Sequence, residues 1–187
     1  MKKASTANPW QTLSSREIYT NPWIRVREDQ VINPAGKPGI YGVVEFKPAI
    51  GIVPLTENLE TYLVGQYRYT LQAYSWEIPE GGGDRGEDVL DGAKRELREE
   101  TGLRASRWTD LGIFHTSNSV TDETAYCFLA EELEQGQPEP DEDEELRVMK
   151  LPFLEVWQMV LKQEITDALT IVCLMRAHEF LRQHGRL

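Results

Sequence analysis

Three glutamates near the middle of the chain are spaced so that they share one face of a helix. Glu96, Glu99 and Glu100 stand at positions i, i+3 and i+4, which lie next to one another on an α-helix. Like charges at this spacing repel, so a helix selected for stability alone would avoid them. A divalent cation turns the repulsion into coordination, and Mg²⁺ takes few carboxylates together with waters and phosphate oxygens. The spacing therefore indicates a metal site for phosphate chemistry.

A predicted helix and the loop before it must position these carboxylates. An apolar stripe recurs on another face at spacings of three and four: Val89, Leu90, Ala93 and Leu97. Gly102 stands where a C-terminal cap belongs. Pro79 and the glycines at 81–83 predict a loop, in which the backbone can approach a ligand closely. The P-loop pattern G-x-x-x-x-G-K-[ST] is absent, so this is a different kind of phosphate site.

Residues 81–103 resemble the Nudix box, G-x5-E-x7-R-E-U-x-E-E-x-G-U, in which U is a bulky aliphatic residue. Nine positions are specified and all are filled: Gly81, Glu87, Arg95, Glu96, Leu97, Glu99, Glu100, Gly102 and Leu103. If chance fills each at roughly one in ten to twenty, accidental agreement is on the order of one in a billion per window. A less specific resemblance extends from about Asn21 to the last helix.

The resemblance implies an α/β fold, the Nudix α/β/α sandwich, with a mixed β-sheet and the box as a loop–helix–loop. Residues 1–187 are expected to form a single Nudix domain. The sequence alone predicts a compatible pattern, because strands with a few interspersed helices indicate a mixed sheet covered by helices. Strands are predicted in residues 23–31, 40–46, 49–55, 61–67, 111–116, 123–132 and 146–151, and helices in 151–163 and from about Asp167.

The resemblance also implies hydrolysis of a nucleoside diphosphate linked to another moiety, with Mg²⁺ as cofactor and Mn²⁺ as the alternative. Glutamates at the positions of Glu96, Glu99 and Glu100 hold the metals in this family, and Glu100 is also predicted to be catalytic. The backbone carbonyl of Glu80 is expected to be a further ligand. Four residues are assigned structural roles within the box: Gly81, Glu87, Arg95 and Gly102.

Two segments outside the box resemble the ADP-ribose and nucleoside diphosphate sugar pyrophosphatases: GQYRY at 65–69 and WEIPEG at 76–81. Arg68 then becomes a candidate for contacting substrate phosphate, which a guanidinium suits, although a surface arginine at a strand end is the alternative. Trp23 and Tyr41 are candidates for stacking on the nucleobase, although aromatic residues in strands more often belong to the core.

A second acidic segment, DEDEELRVMKL from Asp141, resembles the loop that carries the general base in ADP-ribose pyrophosphatases. Glu142 is predicted to be this base, with Glu145 in reserve. Glu144 is predicted to be a catalytic residue and an added metal ligand. The alternative is a solvated acidic loop, and residues 131–145 as a whole are predicted to be a loop.

The substrate is left partly open by the sequence. The ADP-ribose subfamily often has a proline about sixteen residues after the box, and Ser119 stands there instead. Specificity of the GDP-mannose or UDP-glucose type is therefore an alternative. A non-catalytic domain that senses nucleotide sugars is another, but such domains usually lose box carboxylates, which are all present here. An RNA 5′-end pyrophosphohydrolase is a third possibility.

The charge of the chain excludes several classes of partner. The chain has 187 residues, and its 31 acids against 20 bases give a net charge of −11. A general nucleic-acid binder needs a basic face, and a protein held at a membrane surface by a polybasic segment needs one as well. The excess is concentrated, with nine acids and no base in residues 131–145 and seven acids against four bases in residues 81–103.

The cysteines and the absence of long apolar segments predict where the protein is located, and the family resemblance predicts how it assembles. Cys127 and Cys173 lie in apolar runs, which predicts buried, reduced thiols. The first residues lack the apolar stretch of a secretory signal, and no apolar run reaches the length of a membrane span. We therefore expect a cytoplasmic protein. The family resemblance implies a homodimer, with N-terminal strands in residues 1–47 contributing to the partner's site.

Overall fold

A computed structural model describes residues 7–84, 86–137 and 146–187. In these residues the elements are β1 (Gln11–Thr20), β2 (Ile24–Ile32), β3 (Pro38–Phe46), β4 (Ala49–Pro54), β5 (Glu60–Arg68), β6 (Ala73–Glu77), β7 (Glu80–Gly82), α1 (Val89–Thr101), β8 (Leu103–His115), β9 (Thr124–Gln135), β10 (Arg147–Pro152), α2 (Phe153–Leu161) and α3 (Ala168–Gln183). Two compact units are present: the chain up to Lys47 with Ser117–Glu123, and Pro48–Thr116 with Thr124–Leu187.

The first unit contains an antiparallel sheet in the order β1-β2-β3. β2 confirms the strand predicted from its alternation, and its buried residues are Asp29 and Val31. The hydroxyl of Ser15 donates to the Asp29 carboxylate at 2.6 Å, and Arg27 is ion-paired with the same group. β1 was not predicted, and all ten of its residues are exposed.

The second unit is built on a mixed sheet in the order β7-β4-β9-β8, in which β4 and β9 run parallel. Successive side chains of a strand point to opposite faces. Ile50 and Ile52 of β4 pack in one core cluster with Ala93 and Leu97 of α1, while Val53 packs in the cluster that contains the buried residues of α3. The sheet thus lies between α1 and α3. A second sheet, β10-β5-β6, belongs to the same unit.

α1 forms where the apolar stripe predicted it, with caps at both ends. Asp88 accepts hydrogen bonds from the backbone N–H groups of Leu90 and Asp91 at 3.0 and 3.3 Å, which satisfies donors that the first helical turn leaves free. Gly102 ends the helix at φ 72°, and its N–H donates to the Arg98 carbonyl. This left-handed conformation is the one that favours glycine.

Two predicted loops are partly strands. Residues 80–82 form β7, which pairs with β4 through Ile50 and Gly81. In residues 131–145, Glu131–Gln135 continue β9 against β8, so the loop prediction was wrong there. Glu131 is buried and ion-paired with Arg107 at 3.1 Å and Arg186 at 2.7 Å, an arrangement that single-sequence charge counting does not reveal.

Neither a membrane span nor a disulfide is found in the parts of the chain that the structure describes. No helix there is long and apolar enough to cross a membrane. Cys127 and Cys173 are free thiols within the core, as their apolar surroundings in the sequence predicted. Burial raises the pKa of the Cys173 thiol, because a thiolate is poorly solvated there.

Candidate active site

Arg95 connects the charged face of α1 to the loop before it. Its guanidinium donates to the Glu87 carboxylate through Nε and Nη2, both at 3.2 Å, and to the Gly82 carbonyl at 3.1 Å. Nη1 donates to Glu96 at 2.8 Å and to Glu99 at 3.0 Å. The hydrogen bonds to Glu87, followed by the charge of Glu96, raise the pKa of Arg95 above its ordinary value. One cation therefore holds both the loop and two helix carboxylates.

Gly81 leaves the space that the Glu96 side chain fills. A Cβ at Gly81 would lie 2.1 Å from the carboxyl carbon of Glu96 and 2.3 and 2.4 Å from its oxygens. These distances are far below van der Waals contact, so no larger residue fits without moving Glu96 or the backbone. β7 and α1 thus meet at a glycine, and this contact places Glu96 beside the strand.

Glu100 is turned toward the strand as well. Its side chain is buried, with 4% of the residue exposed, and Oε2 accepts a hydrogen bond from the Glu80 N–H at 3.0 Å. The structure therefore sets Glu96 against Gly81 and Glu100 against Glu80, with Glu99 bound to the same guanidinium nitrogen as Glu96. An all-oxygen donor set of this kind fits a hard divalent cation.

Three further carboxyl groups lie close together around residues 77–80, the segment that leads into the box. Single oxygens of Glu77, Glu80 and Asp167 all lie within 4.8 Å of one another. Burial raises the pKa of Glu80 well above its ordinary value, and the neighbouring charges of Asp167 and Glu77 add to the rise. This group was not predicted. Asp167 is also the N-terminal cap of α3, where it accepts from the Thr170 N–H at 2.7 Å.

Arg68 lies among these acids. Its Nε donates to both oxygens of Glu77 at 3.0 Å, and Nη2 bonds to Glu77 and, at 3.0 Å, to Glu80. Burial lowers the pKa of Arg68, but the contacts with Glu77 outweigh burial and leave it raised. Arg68 and Glu77 share a face of the β5–β6 hairpin, because Arg68 pairs with Ala73 and alternate residues follow it to position 77. Glu77 could have been predicted as a partner of Arg68 only if this pairing of β5 with β6 had been known.

Comparison with known proteins shows which family has this helix and loop. The family model described as "NUDIX domain" matches residues 45–172, and the model described as "Nucleoside diphosphate sugar hydrolase N-terminal domain" matches residues 10–44. The chain belongs to the Nudix family. α1 is accordingly the Nudix helix, and the predicted family resemblance is confirmed.

The Nudix relatives extend over most of the chain. The ADP-ribose pyrophosphatase of Mycobacterium tuberculosis (strain ATCC 25618 / H37Rv) is 36% identical, over 90% of this chain and 83% of that protein. The ADP-ribose pyrophosphatase of Bacillus subtilis (strain 168) is 33% identical, over 86% and 88%. A crystal structure of an ADP compounds hydrolase superposes with a TM-score of 0.86 at 22% identity, over 98% of this chain and 100% of that one. This likeness confirms the predicted Nudix fold.

Other predicted site residues lie apart from the Nudix helix in sequence. Trp23 and Tyr41 belong to the first unit. Trp23 is 71% exposed, whereas the Tyr41 hydroxyl donates to the Ser119 carbonyl at 2.8 Å and its ring packs edge-on against Trp10. Glu142 and Glu144, the predicted base and added ligand, lie outside the described residues, as does Glu145. The roles predicted for all of these residues, and for Arg68, stay predictions.

Proposed function

We propose that this Nudix protein hydrolyses the pyrophosphate of ADP-ribose or a related nucleoside diphosphate sugar to a nucleoside monophosphate and a sugar phosphate. The observation that carries the proposal is the complete set of box carboxylates, with Glu96 seated on Gly81 and Glu100 on the Glu80 N–H. The relatives named ADP-ribose pyrophosphatase, at 36% and 33% identity, support this substrate class.

Nudix hydrolases use divalent metals, and we propose Mg²⁺ here, with Mn²⁺ as the alternative, held by Glu96, Glu99, Glu100 and the Glu80 carbonyl. A divalent cation at this site would neutralise charge on the phosphate oxygens and lower the pKa of a bound water. The protein's own contribution is orientation, because Arg95 fixes Glu96 and Glu99 while the Glu80 N–H fixes Glu100.

Proton transfer and substrate contacts are assigned to residues outside the helix. We propose Glu142 as the general base that takes the proton of the attacking water, and Glu144 as an added metal ligand. Arg68 is the proposed phosphate contact. Its pairing with Glu77 and Glu80 fixes the guanidinium in one orientation, and a fixed guanidinium loses less freedom on binding phosphate. Trp23 and Tyr41 are the proposed nucleobase contacts, supported by the exposed Trp23 ring.

We propose that the protein is a cytoplasmic homodimer. All of β1 is exposed, and about half of the surface of its apolar side chains Leu13, Ile18 and Tyr19 remains open. Exposed apolar surface of this extent favours a partner surface. Sedimentation velocity is expected to give twice the chain mass of 21.4 kDa, and a species of the single-chain mass at micromolar concentration contradicts the dimer.

A substrate panel tests the activity. ADP-ribose, GDP-mannose, UDP-glucose and triphosphorylated RNA are incubated with Mg²⁺, and nucleotide products are separated by chromatography. Release of AMP from ADP-ribose is the expected result. If no nucleotide sugar yields a monophosphate, the proposal fails, and phosphate release from RNA alone would assign the RNA 5′-end activity instead.

A matched pair of variants links the activity to the Nudix helix. Glu99→Gln keeps the shape of the side chain but removes its charge, so most of the monophosphate release should be lost. Glu155→Gln makes the same change on the exposed side of α2 and should keep wild-type turnover. Wild-type turnover by Glu99→Gln would remove Glu99 from the metal site.

A further inference from the structure

Thr170 of α3 contacts the segment that leads into the Nudix box. Thr170 is fully buried, and its hydroxyl accepts a hydrogen bond from the Ile78 N–H at 3.1 Å. The same hydroxyl lies 3.4 Å from Oε2 of Glu80, to which it donates. These two bonds join residues that are 92 and 90 positions apart in the chain, and Thr170 lies outside the box motif.

We propose that Thr170 is a positioning residue for the metal-binding end of the Nudix helix. The hydroxyl holds residues 78–80 in place, and the next hydrogen bond along this segment runs from the Glu80 N–H to Glu100 at 3.0 Å. The inference rests on the proposed function only in assigning Glu100 to a metal site. Loss of a group that orients metal ligands typically lowers metal affinity or activity by about 10- to 100-fold.

Burial makes the hydroxyl difficult to replace. Ile78 is fully buried, so its N–H would lose its partner if the hydroxyl were removed, and an unsatisfied buried donor is costly. Residues 78–80 would then shift toward a new partner, which changes the position of the Glu80 N–H that Glu100 accepts from. The N-terminal cap of α3 uses a separate bond, from the Thr170 N–H to Asp167, which does not involve the hydroxyl.

Thr61 provides a matched control. It is also a fully buried threonine of the second unit, but it lies on β5, the central strand of the β10-β5-β6 sheet, where it pairs with Leu151 of β10. Among the residues that the structure describes, its hydroxyl finds no hydrogen-bond partner. Thr61→Val therefore makes the same chemical change as Thr170→Val without removing a bond to the segment before the box.

The test measures Mn²⁺ binding in the absence of substrate, by electron paramagnetic resonance of the free ion. Thr170→Val keeps the backbone N–H that donates to Asp167 and removes only the hydroxyl. It should weaken Mn²⁺ binding about tenfold, the size expected when a group that orients metal ligands is lost. Thr170→Ser keeps a hydroxyl at this position, and Thr61→Val removes one elsewhere. Both variants should bind Mn²⁺ as the wild type does.

The outcomes separate this inference from its alternatives. If Thr170→Val lowers the melting temperature but binds Mn²⁺ normally, Thr170 is merely structural and the inference is overturned. If it fails to fold, Thr170→Ala is the second variant. If both variants fail to fold while Thr170→Ser folds, the hydroxyl is required for the fold itself and the positioning inference is overturned. Failure of the substrate panel with the expected Mn²⁺ shifts would reject the proposed substrate class alone.

Discussion

Gly81 shows most directly how one residue controls the site. The space that a side chain would need there is taken by the Glu96 carboxylate, whose carbon lies 2.1 Å from an added Cβ. Gly81→Ala should therefore displace Glu96, abolish most hydrolysis and weaken Mn²⁺ binding, while most of the core packing is unaffected. Activity, Mn²⁺ titration and circular dichroism check this result.

Gly83→Ala is the control for this prediction, because it lies two residues away in the same segment. Its added Cβ would first meet the Cδ1 atom of Ile50 at 3.2 Å, the end of a side chain that can shift. We expect near-normal hydrolysis from this variant. Equal losses of hydrolysis in both variants would show that any substitution in residues 81–83 impairs the site, and that the Gly81–Glu96 contact has no special role.

The residues of the site differ in how far the sequence reveals them. Glu96, Glu99 and Glu100 follow from helical spacing, because neighbours three and four apart share a face wherever the helix packs. Thr170 and Asp167 approach Glu80 only because α3 packs beside the segment that leads into the box. That contact spans 90 residues in the case of Thr170, and no local pattern encodes it.

At the scale of elements, the Nudix helix depends on its N-terminal cap. Asp88→Ala removes the acceptor for the N–H groups of Leu90 and Asp91 and should destabilise the protein by about 1 kcal/mol. For a chain of this length the melting temperature should fall by about 2–4 °C. Asp88→Asn keeps an acceptor and should lie near the wild type in calorimetry. An equal loss in both variants would contradict the capping role.

The loop before the helix is held through a pH-dependent contact. Arg95, and then the Asp84 N–H at 2.9 Å, hydrogen-bond to Glu87 and lower its pKa below the ordinary value. A carboxyl group whose pKa is lower in the folded state stabilises the fold above its unfolded pKa of about 4.3. This stabilisation is lost as the pH falls through the folded value.

Glu87→Gln should therefore lower the free energy of unfolding at pH 7 by about 0.5–1 kcal/mol, a modest value because solvent screens the pair. The difference from the wild type should shrink as the pH falls below the unfolded pKa of about 4.3 and disappear below the lowered folded-state pKa, where Glu87 itself is protonated. Urea unfolding at several pH values measures both quantities. A difference that stays constant with pH would mean that lost packing, rather than lost charge, is responsible.

The elements themselves were predicted unevenly. α1 carries its own signals, an apolar stripe and Gly102 at its C-terminal cap, and α3 carries an apolar run after about Asp167. Such local signals are readable without knowledge of the fold, whereas the N-terminal cap Asp88 was not predicted. β1 has no apolar alternation in QTLSSREIYT, because neither of its faces is buried. The glycines of β7 predict a loop, because the pairing of β7 with β4 depends on where the sheet brings Ile50 and Gly81 together.

At the scale of the whole molecule, the acids behind the net charge of −11 differ in how they are compensated. Glu131 adds no uncompensated charge, since it is buried against two cations, Arg107 and Arg186. An excess of acids lies in residues 81–103, where Glu96 and Glu99 both pair with Arg95 and Glu99 also pairs with Arg98 at 3.5 Å. Excess negative charge confined to one site is a source of repulsion in the folded state. A divalent cation that binds there should therefore stabilise the whole fold.

Mg²⁺ added to metal-free protein should raise the free energy of unfolding by about 2.7 kcal/mol at 100 times its dissociation constant, because it binds the folded state. The melting temperature should then rise by about 5–10 °C for a chain of this size. KCl at matched ionic strength should not reproduce the rise, since screening acts on all charges. Glu99→Gln should lose most of the Mg²⁺ effect, whereas Glu155→Gln should keep it. Equal shifts in both variants would place the stabilising cation elsewhere and separate the acidity of the Nudix helix from metal binding.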